Sequence, residues 1–422
     1  MDIREAMQFI ESVSWLGSRP GLERTYTLLG ALGNPQKKLR FIHIAGTNGK
    51  GSTASMLASI LQCAGFRTGL YTSPYLYRFN ERMQINGEPI PDETLARLTE
   101  RVRPHALAMT DAPTEFEIIT ALAMEYFAEE RCDIVVLETG LGGRLDSTNV
   151  IDAPECAVLT NIGLDHVKEL GDTVEKIAAE KAAIIKPGSA AVVYGQRESV
   201  LDVFRARCAE VGAPMRIAFG EDALSVKNDK DGQIFTYEGP EYALPLLGRH
   251  QLNNAAVALE TVNALRERGW SIPEEAVKAG LARVQWPARF EIVHRAPYFV
   301  VDGGHNPQCA ETVLRNLQTY FPGQKAVFLM GVLRDKDYPA LTDILAPCAA
   351  RFVTVTPDSP RALPAEEFAA FLRERYGLSA ESCSSIEEGT ARALALAEET
   401  GLACSVGSLY MSGPIRHWFG LC

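Results

Sequence analysis

The stretch Phe-Ile-His-Ile-Ala-Gly-Thr-Asn-Gly-Lys-Gly-Ser-Thr, residues 41–53, decides how the rest of the chain is interpreted. Its apolar first part, Phe41 to Ala45, predicts a short buried strand, and residues 53–64 predict a helix, so a glycine-rich turn with Lys50 joins the two. Glycine lets a backbone approach a phosphate closely, because a Cβ would block that approach. Loop N–H groups, the positive end of a helix and a lysine together bind anionic phosphate. The stretch therefore predicts a nucleotide-phosphate cradle at the end of a strand.

The cradle departs from the strict pattern G-x-x-x-x-G-K-[ST] at two positions. The first glycine of that pattern would fall at Ile44, and Gly51 follows the lysine, which displaces the hydroxyl to Ser52 or Thr53. An ordinary glycine–asparagine turn between a strand and a helix is the alternative. The lysine, the hydroxyls and the strand–helix context occur together, and this combination favours the phosphate site.

The composition is that of an ordinary globular protein. The 422 residues are 46% hydrophobic and 23% charged, and this length suits two or three domains. The net charge of -11 argues against wholesale binding to nucleic acid or to an anionic membrane. Any anionic ligand must therefore be held by local cations and helix N-termini.

Three features predict a cytoplasmic protein. The nine cysteines include no C-x-x-C pair, as in reduced intracellular thiols. The N-terminus, Met1-Asp-Ile-Arg-Glu, lacks a basic start followed by an apolar run, so we expect no secretory signal. No uninterrupted apolar run approaches the roughly 20 residues that a membrane-spanning helix needs.

Strands alternate with helices after the phosphate cradle, which predicts an α/β fold with a mainly parallel sheet and helices on both faces. Before the cradle, residues 1–40 predict one amphipathic helix and a turn-rich loop at 16–21, and residues 215–246 predict a small antiparallel excursion. The main predicted elements are strands at 133–138, 156–161 and 190–194 and helices at 115–131, 173–186 and 250–268.

A second, smaller and Rossmann-like α/β domain is predicted after a boundary at Trp286 to Glu291. We divide the chain into residues 1–295 and residues 296–422. The strands of the second domain are expected near 298–302, 326–331, 352–356 and 403–407.

Polar side chains follow several of the predicted strands. Ser73, Glu138 and the pair Asp165-His166 lie at or after strand ends, so one edge of a parallel sheet brings them towards the cradle. Magnesium prefers oxygen ligands and in nucleotide enzymes takes one or two of them from the protein. Glu138 is thus the natural ligand, with an exposed strand-end glutamate as the alternative. By chemistry alone, Asp165 is a better partner than His166.

Lys181 lies in an apolar stripe of its predicted helix, on the face that carries Ile177 and Ala178. A buried ammonium must be paired or lose its proton, because burial disfavours the charged form. A neutral amine can take up carbon dioxide and become a carbamate. A lysine whose ammonium reaches solvent along the helix is the alternative.

Three motifs resemble the Mur ligase superfamily and, within it, the folylpolyglutamate and dihydrofolate synthases. They are Gly46 to Ser52, Glu138 to Asn149, and Asp302 to Pro307, which is similar to D-x-A-H-N-P with Gly304 in place of the alanine. The resemblance covers nearly the whole chain. It implies an ATP-dependent ligase that adds L-glutamate to a folate, either tetrahydrofolate or dihydropteroate, through an acyl phosphate. It also implies that residues 1–295 bind ATP and folate and that residues 296–422 form a ligase domain.

The resemblance also implies roles for individual residues. Ser73, Glu138 and His166 would hold Mg²⁺, so the family pattern selects the histidine over Asp165, and Lys181 matches a carbamylated lysine near the metal. The other implied roles are catalysis by Lys50 and His305, ATP binding by Gly49, Lys50, Gly51, Ser52, Asn254, Arg289 and Asp302, and folate binding by Arg19, Pro20, Gly21, Thr114, Glu115, Phe116, Glu117, Leu145, Asp146 and Ser147.

Two other classes of function remain open from the sequence. One is a Mur-type ligase that acts on a cell-wall nucleotide precursor, and the other is a non-catalytic nucleotide-binding sensor. The Gly51-Ser52 ending and the run at 142–149 resemble the folate branch, while Lys50, Glu138 and Lys181 are all residues a catalyst needs. We expect a folate or dihydropteroate and L-glutamate as partners, no nucleic acid or membrane, and a monomer.

Overall fold

A computed structural model describes residues 1–14, 17 and 19–421, and the chain folds as two compact units. Unit 1 comprises Met1–Ser225, Phe235–Ala243 and Gln251–Val284, and unit 2 comprises Val226–Ile234, Leu244–His250 and Gln285–Cys422. Leu16 and Ser18 of the predicted loop lie outside the described residues. The functional division at 295 and 296 stays a prediction.

Unit 1 contains one large, mainly parallel sheet in the order β4-β3-β2-β5-β1-β6-β7-β8. The pairs from β2 across to β8 are parallel, and only the β2–β3 and β3–β4 pairs at one edge are antiparallel. The α/β class and the parallel sheet are therefore confirmed. Its strands are β1 Phe41–Ala45, β2 Thr68–Tyr71, β3 Met83–Ile85, β4 Glu88–Pro89, β5 Ile134–Glu138, β6 Cys156–Leu159, β7 Ala190–Tyr194 and β8 Met215–Ala218.

Helices connect these strands, and their apolar residues cover the sheet. Phe41 of β1 belongs to a core cluster with residues of α1, α4 and α5, whereas Ala45 belongs to a second cluster with residues of α7 and α8. The helices up to residue 284 are α1 Ile3–Glu11, α2 Glu23–Ala31, α3 Lys50–Cys63, α4 Asp92–Ala108, α5 Glu115–Glu129, α6 Val167–Leu170, α7 Val174–Ala182, α8 Glu198–Val211, α9 Arg249–Glu267 and α10 Glu274–Arg283.

A separate three-stranded sheet in the order β11-β10-β9 follows β8. Its strands are β9 Leu224–Asp229, β10 Gly232–Thr236 and β11 Glu241–Leu244. The expected excursion therefore begins at residue 224. Residues 215–218, which were assigned to it, instead form β8 and extend the large sheet by pairing parallel to β7.

Unit 2 is a second α/β unit with a six-stranded sheet in the order β12-β13-β17-β14-β15-β16. Its strands are parallel except for the antiparallel edge pair β12–β13. The elements are β12 Glu291–Arg295, β13 Tyr298–Val301, β14 Ala326–Met330, β15 Ala349–Thr354, β16 Ala380–Ser382 and β17 Leu402–Val406, with α11 Pro307–Tyr320, α12 Tyr338–Leu345, α13 Ala365–Tyr376, α14 Ile386–Thr400 and α15 Ser412–Trp418.

Several element predictions were wrong in detail. The first 40 residues hold a second helix, α2, and the predicted helix at 173–186 is only α7, Val174–Ala182. The helix after the cradle was predicted from residue 53, but α3 begins at Lys50, because Gly49 adopts the left-handed conformation, with φ of 90°, and turns the chain directly into the helix. Lys50 is thus the first residue of that helix.

No helix within residues 1–14, 17 and 19–421 is both long and apolar enough to cross a membrane.

Candidate active site

The phosphate cradle begins with a close contact between Gly46 and the strand next to β1. A Cβ on Gly46 would lie 1.8 Å from Thr160 Oγ1, so no side chain other than hydrogen fits there without a shift. At the other end of the cradle, a Cβ on Gly49 would lie 2.5 Å from Asn254 Oδ1. Both glycines let the turn pack closely against neighbouring residues. The structure also brings Asn254, an expected nucleotide-binding residue, next to the cradle.

A set of hydrogen bonds that we call the loop clasp, formed by Thr47, Asn48, Thr160, Asn161 and Gly163, ties the cradle to the end of β6. The Thr160 hydroxyl donates to the Asn48 carbonyl at 2.8 Å, and the Thr47 N–H donates to the Asn161 carbonyl at 2.8 Å. The Thr47 hydroxyl donates to the Gly163 carbonyl at 3.0 Å and accepts from the Gly163 N–H at 3.1 Å. The clasp thus gives the Asn48 carbonyl oxygen a donor within the protein. This matters at a phosphate site, because N–H groups bind phosphate and carbonyl groups repel it.

Lys50, Glu138 and Ser73 converge at the start of α3, as the sequence predicts. Lys50 Nζ lies 3.8 Å from Glu138 Oε1, and the Ser73 N–H donates to Glu138 Oε2 at 3.4 Å. The Glu138 side chain is only 6% exposed and that of Lys50 17%. Arg82 Nη1 donates to Ser73 Oγ at 3.1 Å. A shielded carboxylate, a mobile cation and a hydroxyl therefore share one corner of the sheet edge, a combination suited to phosphate and to an oxygen-seeking metal ion.

His166 is more exposed than Lys50 and Glu138. Its side chain is 44% exposed, its φ is 50°, and it precedes the four-residue helix α6. Its Nε2 lies 3.9 Å from Asp165 Oδ1. Among the residues that the structure describes, no group of three or more His, Cys, Asp or Glu side chains is placed to hold a metal ion. Its membership of the metal site stays a prediction.

Lys181 is buried, as its place in the apolar stripe predicts. It is 4% exposed in the last turn of α7. Burial, and secondarily the charge of Lys50, lowers its pKa to about 7, while Asp146 and Asp165 oppose that decrease. The group therefore holds its proton weakly near neutral pH, in contrast to an ordinary lysine.

The glycine-rich loop after β5, residues 139–147, packs between α5 and α7. A Cβ on Gly140 would lie 2.5 Å from Phe116 Cζ, and one on Gly143 would lie 2.9 Å from Lys181 Cα. Phe116 is half-buried, and its ring centroid lies 6.2 Å from that of Tyr71. The loop thus touches an expected folate-binding side chain on one side and the buried lysine on the other.

Two expected folate-binding segments, Arg19 to Gly21 and Thr114 to Glu117, are joined by Arg24. Its Nε donates to both oxygens of Glu117, at 3.1 and 3.0 Å, and its Nη2 donates to the Arg19 carbonyl at 2.7 Å. Arg24 and Arg19 also both pair with Asp111. The two segments therefore lie together in the fold. Arg19 and Asp111 pair across 92 residues of chain, and Arg24 and Glu117 pair across 93.

Glu117 is committed to this internal network. It is 1% exposed, and besides Arg24 it accepts the Thr114 N–H at 2.7 Å, which closes a capping box at the start of α5. Such a carboxylate holds the start of α5 against Arg24 and has little exposed surface. Glu115 is half-buried, and burial raises its pKa. Pro20 is exposed, and Gly21 has a φ of 137°.

Three further expected residues lie in the loops of unit 2. Asp302 is buried after β13 and accepts the N–H groups of Phe290 at 2.9 Å and Gly304 at 2.7 Å. Burial raises its pKa, and the charge of Arg289 opposes that increase. His305 Nδ1 lies 3.3 Å from the Gly303 carbonyl oxygen. Asp302, Arg289 and His305 are thus neighbours around one loop.

Gly304 fits that loop closely. A Cβ at this position would lie 2.7 Å from Asp302 Oδ1 and 2.7 Å from Cys309 Cβ. The alanine that the resembling pattern carries would therefore require a shift in this conformation.

Sequence reasoning missed the loop clasp, Arg82 and Arg24. A threonine directly after a strand end, as at Thr160, is a weak signal that could have suggested a contact with the cradle. The partners of Arg24 and Arg82 leave no local pattern in the sequence, because each bond depends on the fold.

Comparisons with known proteins agree with this geometry. Residues 44–262 match the family model of the Mur ligase middle domain, and residues 288–409 match that of the Mur ligase glutamate ligase domain. The chain is 38% identical to a folylpolyglutamate synthase of Lacticaseibacillus casei, over 97% of this chain and 98% of that protein. It is also 38% identical to a dihydrofolate synthase/folylpolyglutamate synthase of Bacillus subtilis, over 86% of this chain and 87% of that protein. The structure of Mycobacterium tuberculosis folylpolyglutamate synthase complexed with ADP superposes with a TM-score of 0.90 at 32% identity, and covers 99% of each chain.

Proposed function

The chain belongs to the Mur ligase family, in its branch of folylpolyglutamate and dihydrofolate synthases, and we propose that the corner formed by Lys50, Glu138 and Ser73 catalyses the ATP-dependent ligation of L-glutamate to a folate. It is an ATP-dependent carboxylate–amine ligase. The observation that carries the catalytic assignment is the 3.8 Å separation of Lys50 Nζ and Glu138 Oε1 at the first turn of α3.

The reaction needs an activated carboxylate, because a carboxylate oxygen is a poor leaving group. A folate carboxylate oxygen attacks the γ-phosphorus of ATP, the bond to the β-phosphate oxygen breaks, and ADP leaves. The glutamate amine then attacks the acyl carbon, phosphate departs with that carboxylate oxygen, and the amine loses a proton to solvent or a base. Lys50 and the cradle N–H groups spread the charge on the transferring group.

The donor set suits Mg²⁺, which takes one or two protein oxygens and completes its octahedron with water and phosphate. Glu138 and Ser73 supply a carboxylate and a hydroxyl at the cradle, and the family resemblance adds His166. Bound there, the ion would neutralise negative charge on the nucleotide phosphates. Lys50 and the helix N-terminus would provide the remaining positive charge.

Lys181 is proposed to carry a carbamate. Its amine, with a pKa of about 7, is partly neutral at neutral pH, and the nitrogen lone pair can bond to the carbon of carbon dioxide with release of one proton. The product is an anion. Because the charge of Lys50 acts on this side chain, an anion at Lys181 would be stabilised where an ammonium is repelled.

The folate site is proposed around Phe116 and the loops at 19–21 and 145–147. Phe116 offers a half-buried ring that a flat pteridine can stack on, and the Arg24 network holds the first loop against the start of α5. In this proposal Glu117 holds the start of α5 in place through its bonds to Arg24 and Thr114. By family resemblance, Asn254 is proposed to bind ATP, and Arg289, Asp302 and His305 are proposed to serve ATP and the reacting groups.

The two alternative functions, a cell-wall ligase and a non-catalytic nucleotide sensor, require different features of the site. A cell-wall ligase would require a nucleotide-linked acceptor, whereas the relatives from L. casei and B. subtilis are named for folates. A non-catalytic sensor has no need for the shielded Lys50–Glu138 corner. Both are therefore tested by the identity of the acceptor and by turnover.

Oxygen-18 labelling tests the reaction route. The acceptor is labelled in its reacting carboxylate and incubated with ATP, Mg²⁺ and L-glutamate. An acyl phosphate transfers one labelled oxygen to each phosphate released. Unlabelled phosphate, with oxygen coming from water, would contradict the proposal and indicate simple ATP hydrolysis.

A further inference from the structure

The central strand of unit 1 contains a buried histidine that the proposed chemistry does not use. All five residues of β1 are buried, and His43 is 0% exposed. Successive odd positions of a strand share one face, so His43 lies between Phe41, in the cluster around α5, and Ala45, in the cluster around α7. A polar ring at this position costs free energy unless it is hydrogen-bonded. The hydrogen-bond partners of His43 therefore indicate its role.

A chain of hydrogen bonds leads from this ring to the glycine-rich loop. His43 Nε2 lies 2.8 Å from Thr148 Oγ1, and Thr148 Oγ1 lies 2.5 Å from Asp146 Oδ1. Asp146 Oδ1 also accepts the Thr148 N–H at 3.0 Å, and Oδ2 accepts the Leu141 N–H at 2.7 Å. The carboxylate thus links the first half of the loop to the turn that follows it. We call the chain His43–Thr148–Asp146 the buried relay.

The number of protons fixes the direction of the relay. A threonine hydroxyl has one hydrogen, and it cannot donate to the ring and to the carboxylate at once. Burial raises the pKa of Asp146, but the backbone N–H groups that it accepts at both oxygens oppose that increase and favour the ionised form. We therefore assign Asp146 as the acceptor. Thr148 Oγ1 must then accept from His43 Nε2–H.

The opposite direction would require a protonated Asp146. It would also place the hydrogen of His43 on Nδ1, which is buried without a hydrogen-bond partner among the described residues. A buried N–H without an acceptor is rarer than a buried acceptor without a donor. The geometry therefore favours the Nε2–H tautomer.

We propose that His43 is a positioning residue, which donates through Thr148 to Asp146 and thereby holds the glycine-rich loop between Phe116 and Lys181. The proposal rests on the proposed function, since Phe116 and Lys181 matter only if they serve the ligase. Gly140 and Gly143 make their close contacts from within this loop. A loop released from Asp146 would lose both contacts. Phe116 belongs to the proposed acceptor site, whereas the loop clasp holds the nucleotide cradle separately, so we expect the relay to act mainly on acceptor binding.

The surroundings of His43 keep the ring neutral. Burial, with the charge of Lys186 as a second cause, lowers its pKa to about 3. Lys186 itself donates to the carbonyls of Asn149 and Ile151, at 2.8 and 2.5 Å, just beyond Thr148. A neutral ring can be a donor at one nitrogen only, as the relay needs.

Nitrogen-15 NMR of the full chain, labelled in histidine, measures the relay without reference to activity. The His43 signals are assigned by their loss in His43→Gln. We expect a pyrrole-like Nε2 that carries hydrogen and a pyridine-like Nδ1 that does not, unchanged across neutral pH. The reverse tautomer or a doubly protonated ring would overturn the proposal. Because this measurement needs no turnover, it tests the relay independently of the ligase assignment.

A double-mutant cycle tests whether His43 acts through Thr148. His43→Leu removes the donor, and the nearly isosteric Thr148→Val removes the hydroxyl. Each is expected to raise the acceptor KM about tenfold, because each removes one hydrogen bond to a charged network. The ATP KM should stay within about twofold. In the Thr148→Val background, His43→Leu should add less than about twofold.

Conservative variants provide the matched controls. His43→Gln can still present an N–H to Thr148, and Thr148→Ser keeps the hydroxyl, so both should restore most of the acceptor KM. Fully additive losses, equal losses for ATP and acceptor, or failure of both conservative variants to restore binding would overturn the relay. Circular dichroism identifies any variant that does not fold, in which case the tautomer measurement on the native chain decides.

Discussion

The buried amine of Lys181 should make the stability of the protein depend on pH in a way that one substitution removes. Lys181→Met keeps the unbranched apolar stem of the side chain and deletes the titrating group. The pKa of Lys181 is about 7 in the folded chain, against 10.5 for an ordinary lysine. The folded state therefore binds fewer protons than the unfolded state between these two values.

The magnitude follows from proton linkage. Between pH 7 and pH 9 the unfolded side chain stays protonated while the folded one loses its proton, so unfolding takes up nearly one proton and the free energy of unfolding rises with pH. At about 1.4 kcal/mol per pH unit, reduced because the folded amine is half-protonated at pH 7, Lys181 contributes about 2 kcal/mol over this window. Lys181→Met should lack that increase.

The assay is urea unfolding followed by circular dichroism, at pH 7 and pH 9, in buffer freed of carbon dioxide so that the amine is not consumed as carbamate. Lys186 also titrates in this range, because burial lowers its pKa to about 8, but it is present in both proteins and cancels in the comparison. Lys176→Met is the matched control on the same helix, since its exposed ammonium pairs with Asp172. The free energy of unfolding of Lys176→Met should rise from pH 7 to pH 9 by as much as that of the protein without substitutions. Equal pH dependence of the unmodified protein and Lys181→Met would refute the reasoning.

The remaining predictions concern activity. Lys50→Met removes a positive charge at the phosphoryl group, and Glu138→Gln removes the carboxylate proposed to hold Mg²⁺. Each should lower the ligation kcat at least about 100-fold with unchanged circular dichroism, and retention of a tenth of the rate would contradict the assignment. Thr160→Val should raise the Kd for ADP about tenfold in titration calorimetry by freeing the Asn48 carbonyl, and Thr160→Ser should restore it; equal affinities for both variants would show that the clasp hydroxyl is irrelevant. Phe116→Ala should raise the acceptor KM about tenfold in steady-state assays while the ATP KM stays within about twofold, and an unchanged acceptor KM would place the folate elsewhere.

The parts of the fold that could be predicted from sequence are those with local patterns. Strand β1 and the strands β5 to β7 are short apolar runs followed by polar residues, and parallel pairing brings their ends to one edge. This is why Lys50 and Glu138 converge where they were expected. Ser73 joins them because it follows β2, which pairs parallel to β5. The burial of Lys181 also followed from helical periodicity.

Contacts between distant segments could not be predicted in this way. Thr160 reaches the Asn48 carbonyl across 112 residues, and Arg24 reaches Glu117 across 93. Glu117 was expected to bind folate because the resemblance implies a folate-binding role for its segment, and nothing in the local sequence reveals its buried partner Arg24.

Short edge strands were either missed, as β12 and β16, or assigned to the wrong sheet, as β8, for a related reason. β12 and β16 have five and three residues, and β8 carries an arginine within four residues, so none shows the apolar run of a central strand. The pairing partner, which the sequence does not display, decides that these segments are strands.

The most direct test of the assignment as a folate–glutamate ligase is a measurement of phosphate release. Purified protein is mixed with ATP, Mg²⁺, L-glutamate and one acceptor at a time. Tetrahydrofolate and dihydropteroate are each supplied, with a cell-wall nucleotide precursor as the negative control. We predict rapid release with at least one pteridine acceptor, dependent on glutamate and Mg²⁺ and matched mole for mole by the new amide. Release that ignores the acceptor, or that occurs only with the cell-wall nucleotide, would contradict a folate–glutamate ligase.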